Sequence, residues 1–445
     1  MAKIAKIAKI AKIGRHFPRN TSSSAFEHLN FGNLGNFGNF GNEQRHAMSS
    51  PRVDRREFLR GITAAAAAVP ALGAEAFSPE RAGARLRIDE SQETAPPAQK
   101  PPTKIKFGVI GLNHGHINGQ TNAVLRAGGE LVSVYAKEPE LLKPFMKQFP
   151  QATLARSESE VLEDKSIQLV LSAAIPDERG PLGIRVMQHG KDYMVDKPGL
   201  TTLEQLAEVR KVQAQTRRIY SIMFSERLEN RATVRAGELV KSGAIGRVVQ
   251  TIGMGPHRMN PKTRPAWFFE RPRYGGILCD IGSHQGDQFL YFTGSTSADV
   301  VASQVGNVNN PQYPGFEDFG DTMVRGNGGS GYIRVDWFTP DGLATWGDGR
   351  LTILGTEGFI EVRKNIDVVG RPGGSHLFLT DQKETRYIDC SKVELPYGAQ
   401  LVADVMNRTE TAMPQAHCFL ATELMLKAQK QAQRVTFKTA TQPNY

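Results

Sequence analysis

The stretch Lys104–Gln120, KIKFGVIGLNHGHINGQ, decides the fold. Ile105, Phe107, Val109 and Ile110 form the short apolar run of a buried strand. The run breaks at Gly111, and a helical pattern, HINGQTNAVLRAG, begins at His116. Strand, glycine turn and helix is the order in which a dinucleotide fold offers backbone N–H groups and a helix N-terminus to a pyrophosphate. The glycine fingerprint is incomplete: Gly111 fits its first position, but Asn113 and His116 occupy the second and third. Asparagine tolerates left-handed backbone angles better than most residues, so the turn is still expected to form. His114 and His116 make an H-x-H pair, yet no carboxylate or cysteine accompanies it locally, and no metal site is expected.

Working outward, apolar strands such as IQLVLSAA, DYMVDKP and RIYSIMF alternate with amphipathic helices such as TTLEQLAEVRKVQAQ. That alternation predicts right-handed βαβ units and a parallel sheet covered on both faces, a Rossmann-like domain over 104–225. The second strand ends VSVYAKEPE, with Ala136 where NAD-binding folds carry an acid for the ribose 2′-hydroxyl. A missing acid followed by Lys137 suits a 2′-phosphate and favours NADP; the alternative is that Glu138 serves NAD from further along. Beyond about 245 the pattern becomes strands without intervening helices, which predicts an α+β domain over 226–435 built on a large, mostly antiparallel open sheet. Two helices, about 398–409 and 415–433, should pack back on the first domain. The open face of the sheet makes a homo-oligomer plausible.

The chain has 445 residues and a formal charge of +10. Residues 1–76 hold eleven Lys/Arg against five Asp/Glu, so most of the basicity belongs to the start of the chain and a nucleic-acid partner is not expected. That start contains Ala-Lys-Ile and Phe-Gly-Asn repeats, after which translation could begin anew at Met48. DRREFLR, with Arg55 and Arg56, precedes a short alanine-rich apolar stretch and small residues near Ala74 and Ala76. This resembles a twin-arginine signal, too short to anchor in a bilayer, and predicts contact with the translocase and a periplasmic or secreted product. Residues 77–103 have the proline-rich composition of a linker. Three cysteines offer no disulfide framework.

Two further segments point to a family. One is DYMVDKPG, with Asp196-Lys197-Pro198; the other is RYGGILCDIGSHQGD, with Gly275, Gly276, Asp280, His284 and Asp287. Together they resemble the Gfo/Idh/MocA family of glucose–fructose oxidoreductase and inositol dehydrogenase, where Glu-Lys-Pro ends the fifth strand. Asp196 departs from that pattern, as does Pro176-Asp177-Glu178-Arg179-Gly180 where the family commonly has Pro-Asn-x-x-His. The resemblance implies His284 as general acid/base, Lys197 as hydroxyl polariser and Asp280 as an orienting or substrate-binding group, with Gly111, Asn113, His114, His116, Lys137, Pro176, Lys197 and Pro198 around the cofactor. It implies an NAD(P)-dependent oxidoreductase acting on a sugar, polyol or related hydroxylated metabolite, and the leader marks the protein for export. The alternatives are an NAD-dependent glycoside hydrolase on the same scaffold and a redox-inactive binding protein.

Overall fold

The computed structural model describes residues 105–436; the leader with Arg55 and Arg56 and the linker 77–103 lie outside the described residues. Six strands open the fold: β1 (Lys106–Ile110), β2 (Glu130–Tyr135), β3 (Thr153–Leu154), β4 (Leu169–Ser172), β5 (Asp192–Asp196) and β6 (Tyr220–Met223). They pair in the order β3-β2-β1-β4-β5-β6, every pairing parallel. Every residue of β4, β5 and β6 is buried, the mark of a sheet covered on both faces. Covering helices include His116–Arg126, Pro176–Gln188 and Leu203–Thr216. The last starts where the Thr202 side chain accepts from the Gln205 N–H, a cap that satisfies one otherwise orphaned donor. Strand order reverses between β1 and β4, and the ends of those strands open the crevice where such sheets bind ligands.

The second sheet has nine strands: β7 (Val248–Pro256), β8 (Ala298–Gly306), β9 (Phe319–Gly326), β10 (Ser330–Asp336), β11 (Arg350–Gly355), β12 (Phe359–Arg363), β13 (His376–Thr380), β14 (Thr385–Ile388) and β15 (Gln433–Val435). Their order is β14-β13-β12-β11-β7-β10-β9-β8-β15, antiparallel except for the β7–β10 and β8–β15 pairs. Burial alternates along β9 and β10, so one face packs and the other meets solvent. The packed face lies against helix Gly282–Thr293, where Gly253 and Gly331 leave room for Gln285 and Phe289.

The two closing helices, Tyr397–Asn407 and Gln415–Gln431, do pack back on the first sheet. The Tyr397 hydroxyl lies 2.8 Å from Ser221 Oγ, and Gln415 Oε1 accepts from the Tyr220 N–H at 2.8 Å. These contacts bring the second sheet and its helices over the crevice of the first. None of the described helices is long and apolar enough to cross a membrane.

Candidate active site

β5 ends at Asp196 and hands Lys197 to the crevice. The segment from Gly275 to His284 approaches from the second domain. Gly275 and Gly276 have φ of +90° and +99°, a region that side chains other than glycine enter only with strain. Helix Ile277–Asp280 follows at once, its first N–H groups held by buried side chains. Glu317 accepts from Ile277 at 2.9 Å and Gln429 from Leu278 at 2.8 Å. This fixed turn delivers Asp280, whose Oδ1 lies 2.7 Å from Lys197 Nζ. Lys197 is 5% exposed and Asp280 14%, so the ion pair is shielded from solvent screening.

His284 lies on the next helix, Gly282–Thr293, buried, and its Nδ1 has no hydrogen-bond partner among the described residues. Burial, then the nearby Lys197, Lys364, His116 and His257, hold its pKa well below the usual imidazole range. The ring is therefore neutral at pH 7, with a lone pair able to accept a proton. No hydrogen bond joins Asp280 to His284 among the described residues, so Asp280 does not orient that ring directly. Asp280 instead pairs with Lys197, since a buried ammonium gains more from a carboxylate than a neutral imidazole does.

Lys197 and Asp280 line a cavity of about 350 Å³, the size of a small-molecule site, while His284 is buried and is not among its lining residues. All three tryptophans of the chain, Trp267, Trp337 and Trp346, line it, together with Phe268 and Tyr274. His257 is also on the wall, its Nδ1 3.1 Å from the Gly255 carbonyl and its pKa depressed by burial and then by Lys197 and Lys364. Cys279 stays outside the chemistry: it is buried, and burial pushes its thiol up to about 12.

The H-x-H pair finds its carboxylate eighty residues away. Asp196 lies 3.0 Å from His114 Nδ1, 2.8 Å from His116 Nδ1 and 3.1 Å from the Arg179 guanidinium. Burial opposes its ionisation, but His116, Arg179 and His114 hold it well below the usual carboxylate range. Burial, then His116, lowers His114 to about 4 despite Asp196. Two imidazoles and a carboxylate are also a ligand set for a divalent transition metal. Arg179 on the same carboxylate, and Lys197 close enough to depress His114, oppose a dication there. Arg179 also straps the end of β5, donating to the carbonyls of Ala174 (2.7 Å), Lys197 (2.6 Å) and Pro198 (3.1 Å).

The phosphate turn keeps its backbone form. Gly111 has φ +85°, and a Cβ there would come 2.6 Å from that of Ala174, so only glycine fits. The His114 N–H donates to the Ala173 carbonyl at 3.1 Å, seating the turn on the end of β4. Beside it runs a cleft of about 30 Å³ lined by Gly111, Asn113, Lys137, Glu138, Glu158 and Glu178. Lys137 Nζ is held 2.7 Å from Glu178, and Arg273 reaches Glu178 (3.2 Å) and Asp177 (2.7 Å). Glycine turn, helix start and carboxylates that can take ribose hydroxyls suit a dinucleotide. Gly111, Asn113 and Lys137 thus border the narrow cleft, whereas His114, His116, Pro176 and Lys197 border the larger cavity.

Residues 105–224 match the family described as "Oxidoreductase family, NAD-binding Rossmann fold", and residues 233–361 match the "GFO/IDH/MocA C-terminal domain". The chain belongs to the Gfo/Idh/MocA family. As a Gfo/Idh/MocA protein it is an NAD(P)-binding oxidoreductase. It is 24% identical over 310 residues to scyllo-inositol 2-dehydrogenase (NAD(+)) of Bacillus subtilis (strain 168), covering 67% of this chain and 86% of that one. A crystal structure described as an oxidoreductase from Erwinia carotovora atroseptica SCRI1043 superposes with a TM-score of 0.73 at 46% identity, over 75% of this chain and 100% of that one. A levoglucosan dehydrogenase in complex with NADH and levoglucosan has the same fold, with a TM-score of 0.61 at 17% identity over 74% of this chain and 98% of that one.

Proposed function

We propose that this Gfo/Idh/MocA enzyme oxidises a hydroxyl group of a sugar or cyclic polyol, and reduces the matching ketone in reverse. The observation that carries the reading is the 2.7 Å Lys197–Asp280 pair, formed across the two domains beneath an aromatic-walled cavity. Aromatic faces suit the C–H faces of a sugar ring, and the matched inositol and levoglucosan dehydrogenases act on cyclic polyhydroxy compounds. A bound dinucleotide supplies the hydride acceptor. Lys197 donates a hydrogen bond to the substrate hydroxyl and stabilises oxygen charge as the C–H bond breaks. Asp280 holds the ammonium in place, and neutral His284 receives the hydroxyl proton.

The cleft geometry supports NAD over the NADP favoured by Ala136-Lys137. Glu138, Glu158 and Glu178 repel a 2′-phosphate, and Lys137 is already paired with Glu178. DRREFLR supports twin-arginine export to the periplasm or beyond, with the dinucleotide bound before export. The solvent-facing side of the nine-stranded sheet carries Met323, Leu354 and Phe359, which supports a homo-oligomer. The purified protein is assayed with NAD or NADP and a panel of polyols and sugars, following reduced nicotinamide by absorbance. Dinucleotide reduction by a cyclic polyol or sugar is expected. Glycoside cleavage without net reduction would instead identify a hydrolase on this scaffold. For export, Arg55→Lys with Arg56→Lys should leave the precursor in the cytoplasm, and normal export of that double variant would refute the signal.

A further inference from the structure

The catalytic pair uses one end of the cavity, and the charge of the rest is unbalanced. Arg179, Lys197, Arg258 and Arg264 line it, against a single carboxylate, Asp280. Asp280 is committed to Lys197, and Arg179 is matched by Asp196 behind the wall. Two guanidiniums, Arg258 and Arg264, are left over, both on the segment that follows β7 in the second domain. Backbone carbonyls position them. Arg264 donates Nε to Met259 (2.9 Å) and one terminal nitrogen to Arg258 (3.3 Å), and Arg258 donates to Pro340 (2.8 Å) and Thr345 (3.1 Å).

Carbonyl oxygens satisfy N–H groups but do not neutralise a cation. Among the described residues Arg258 has only Asp341 as a carboxylate partner, 3.9 Å from its Nε and 99% exposed, where water screens it. Arg264 has no carboxylate within ion-pair distance among the described residues, and its guanidinium lies 4.4 Å from the Phe268 ring centroid and 5.2 Å from that of Trp337. Burial lowers its pKa, with Asp280 acting in the opposite direction. A cation set against aromatic walls without an anion is costly to desolvate, and an anionic ligand recovers that cost.

We propose that the substrate of this site is an anionic sugar or polyol, a ring carrying a carboxylate as in a uronate, bound with its C–H face on the tryptophans and its anion toward Arg264 and Arg258. The proposal rests on the oxidoreductase reading and names its substrate class. A carboxylate is favoured over a phosphate because each arginine has already given N–H groups to carbonyls, so a small planar anion suits what remains better than three phosphate oxygens do. A site built for such a group rejects the analogue lacking it, because its own partly buried charge is then left unpaired.

The test uses the purified protein with its dinucleotide and matched sets of probes: hexoses, the corresponding hexuronates and the corresponding hexose 6-phosphates, in gluco, galacto and manno series. kcat/KM is measured for each, and binding is followed in parallel by calorimetry. A hexuronate should exceed its parent hexose by roughly 30-fold or more, the scale of a buried charge pair. Arg264→Gln should collapse that ratio, mainly through KM, and Arg264→Lys should retain part of it. Preference for the phosphates would overturn the carboxylate assignment, and equal or better use of the neutral hexoses would overturn the anionic class while sparing the oxidoreductase reading. If nothing turns over, the oxidoreductase reading fails, and calorimetry still decides the charge claim: hexuronate binding lost in Arg264→Gln supports it, and no discrimination between hexuronate and hexose refutes it.

Discussion

The two cavities beside the first sheet are opposites. The cleft by the phosphate turn is narrow, about 30 Å³, and carries Glu138, Glu158 and Glu178 against Lys137 and Arg185. The cavity under the second domain is about 350 Å³, aromatic and lined by four cations against one carboxylate, Asp280. The first is built from consecutive strand ends of one domain, so its charge is set by short local segments. The second is assembled from both domains, and its chemistry exists only when β5 and the Gly275–His284 segment meet. A dinucleotide diol suits the acidic cleft, and a reacting oxygen that gains negative charge suits the cationic cavity.

The largest effect should come from breaking the pair that joins the domains. Lys197→Met removes the stabilising ammonium and leaves the half-buried Asp280 without its cation, and should lower kcat at least about 10³-fold. Turnover within tenfold of the parent would separate catalysis from this cavity. A second contrast is thermodynamic, because His257 and His284, buried in or beside the cavity, and His114 at its edge are all neutral in the fold. Their folded pKa values lie below the ordinary 6.5, with His114 at about 4. The unfolded chain therefore binds protons first as pH falls. Stability is fully present above about pH 6.5 and is lost from there toward pH 4, by up to about 1.4 kcal/mol per pH unit for each histidine. Urea unfolding at pH 7, 6 and 5 checks this, and a flat profile would refute it. The smallest effect is at the cleft. Lys137→Ala should change NAD affinity by about 1 kcal/mol or less, since it removes an exposed pair. A selective loss of NADP binding would show that Lys137 leaves Glu178 for a 2′-phosphate.

These two regions also differ in how far the sequence reveals them. The parallel sheet is legible because its strands are apolar runs separated by helical patterns, whereas two- to four-residue strands such as β3, β14 and β15 are too short to show a period. The meeting of Lys197 with Asp280 is legible because two motifs carry the segments that hold them. Arg179 is not, since a charged residue in a helix reads as solvated until its carbonyl partners are known. The H-x-H pair looks isolated because Asp196 is distant in the chain. Lys137 reads as a phosphate hook because Glu178, its partner, stands on another helix. The three tryptophans at 267, 337 and 346 stand apart in the chain, and only the fold gathers them with Arg258 and Arg264 around one cavity.

The central claim is that proton transfer at this cavity runs through a buried neutral imidazole. Single-turnover kinetics of His284→Ala, loaded with its dinucleotide and a verified substrate, tests it most directly. The variant should fold, keep the dinucleotide and slow the hydride step roughly 10²–10⁴-fold, with the acid-side ionisation of the parent gone from its pH profile. A variant that transfers hydride at the parent rate with an unchanged profile would contradict the account and place the base elsewhere.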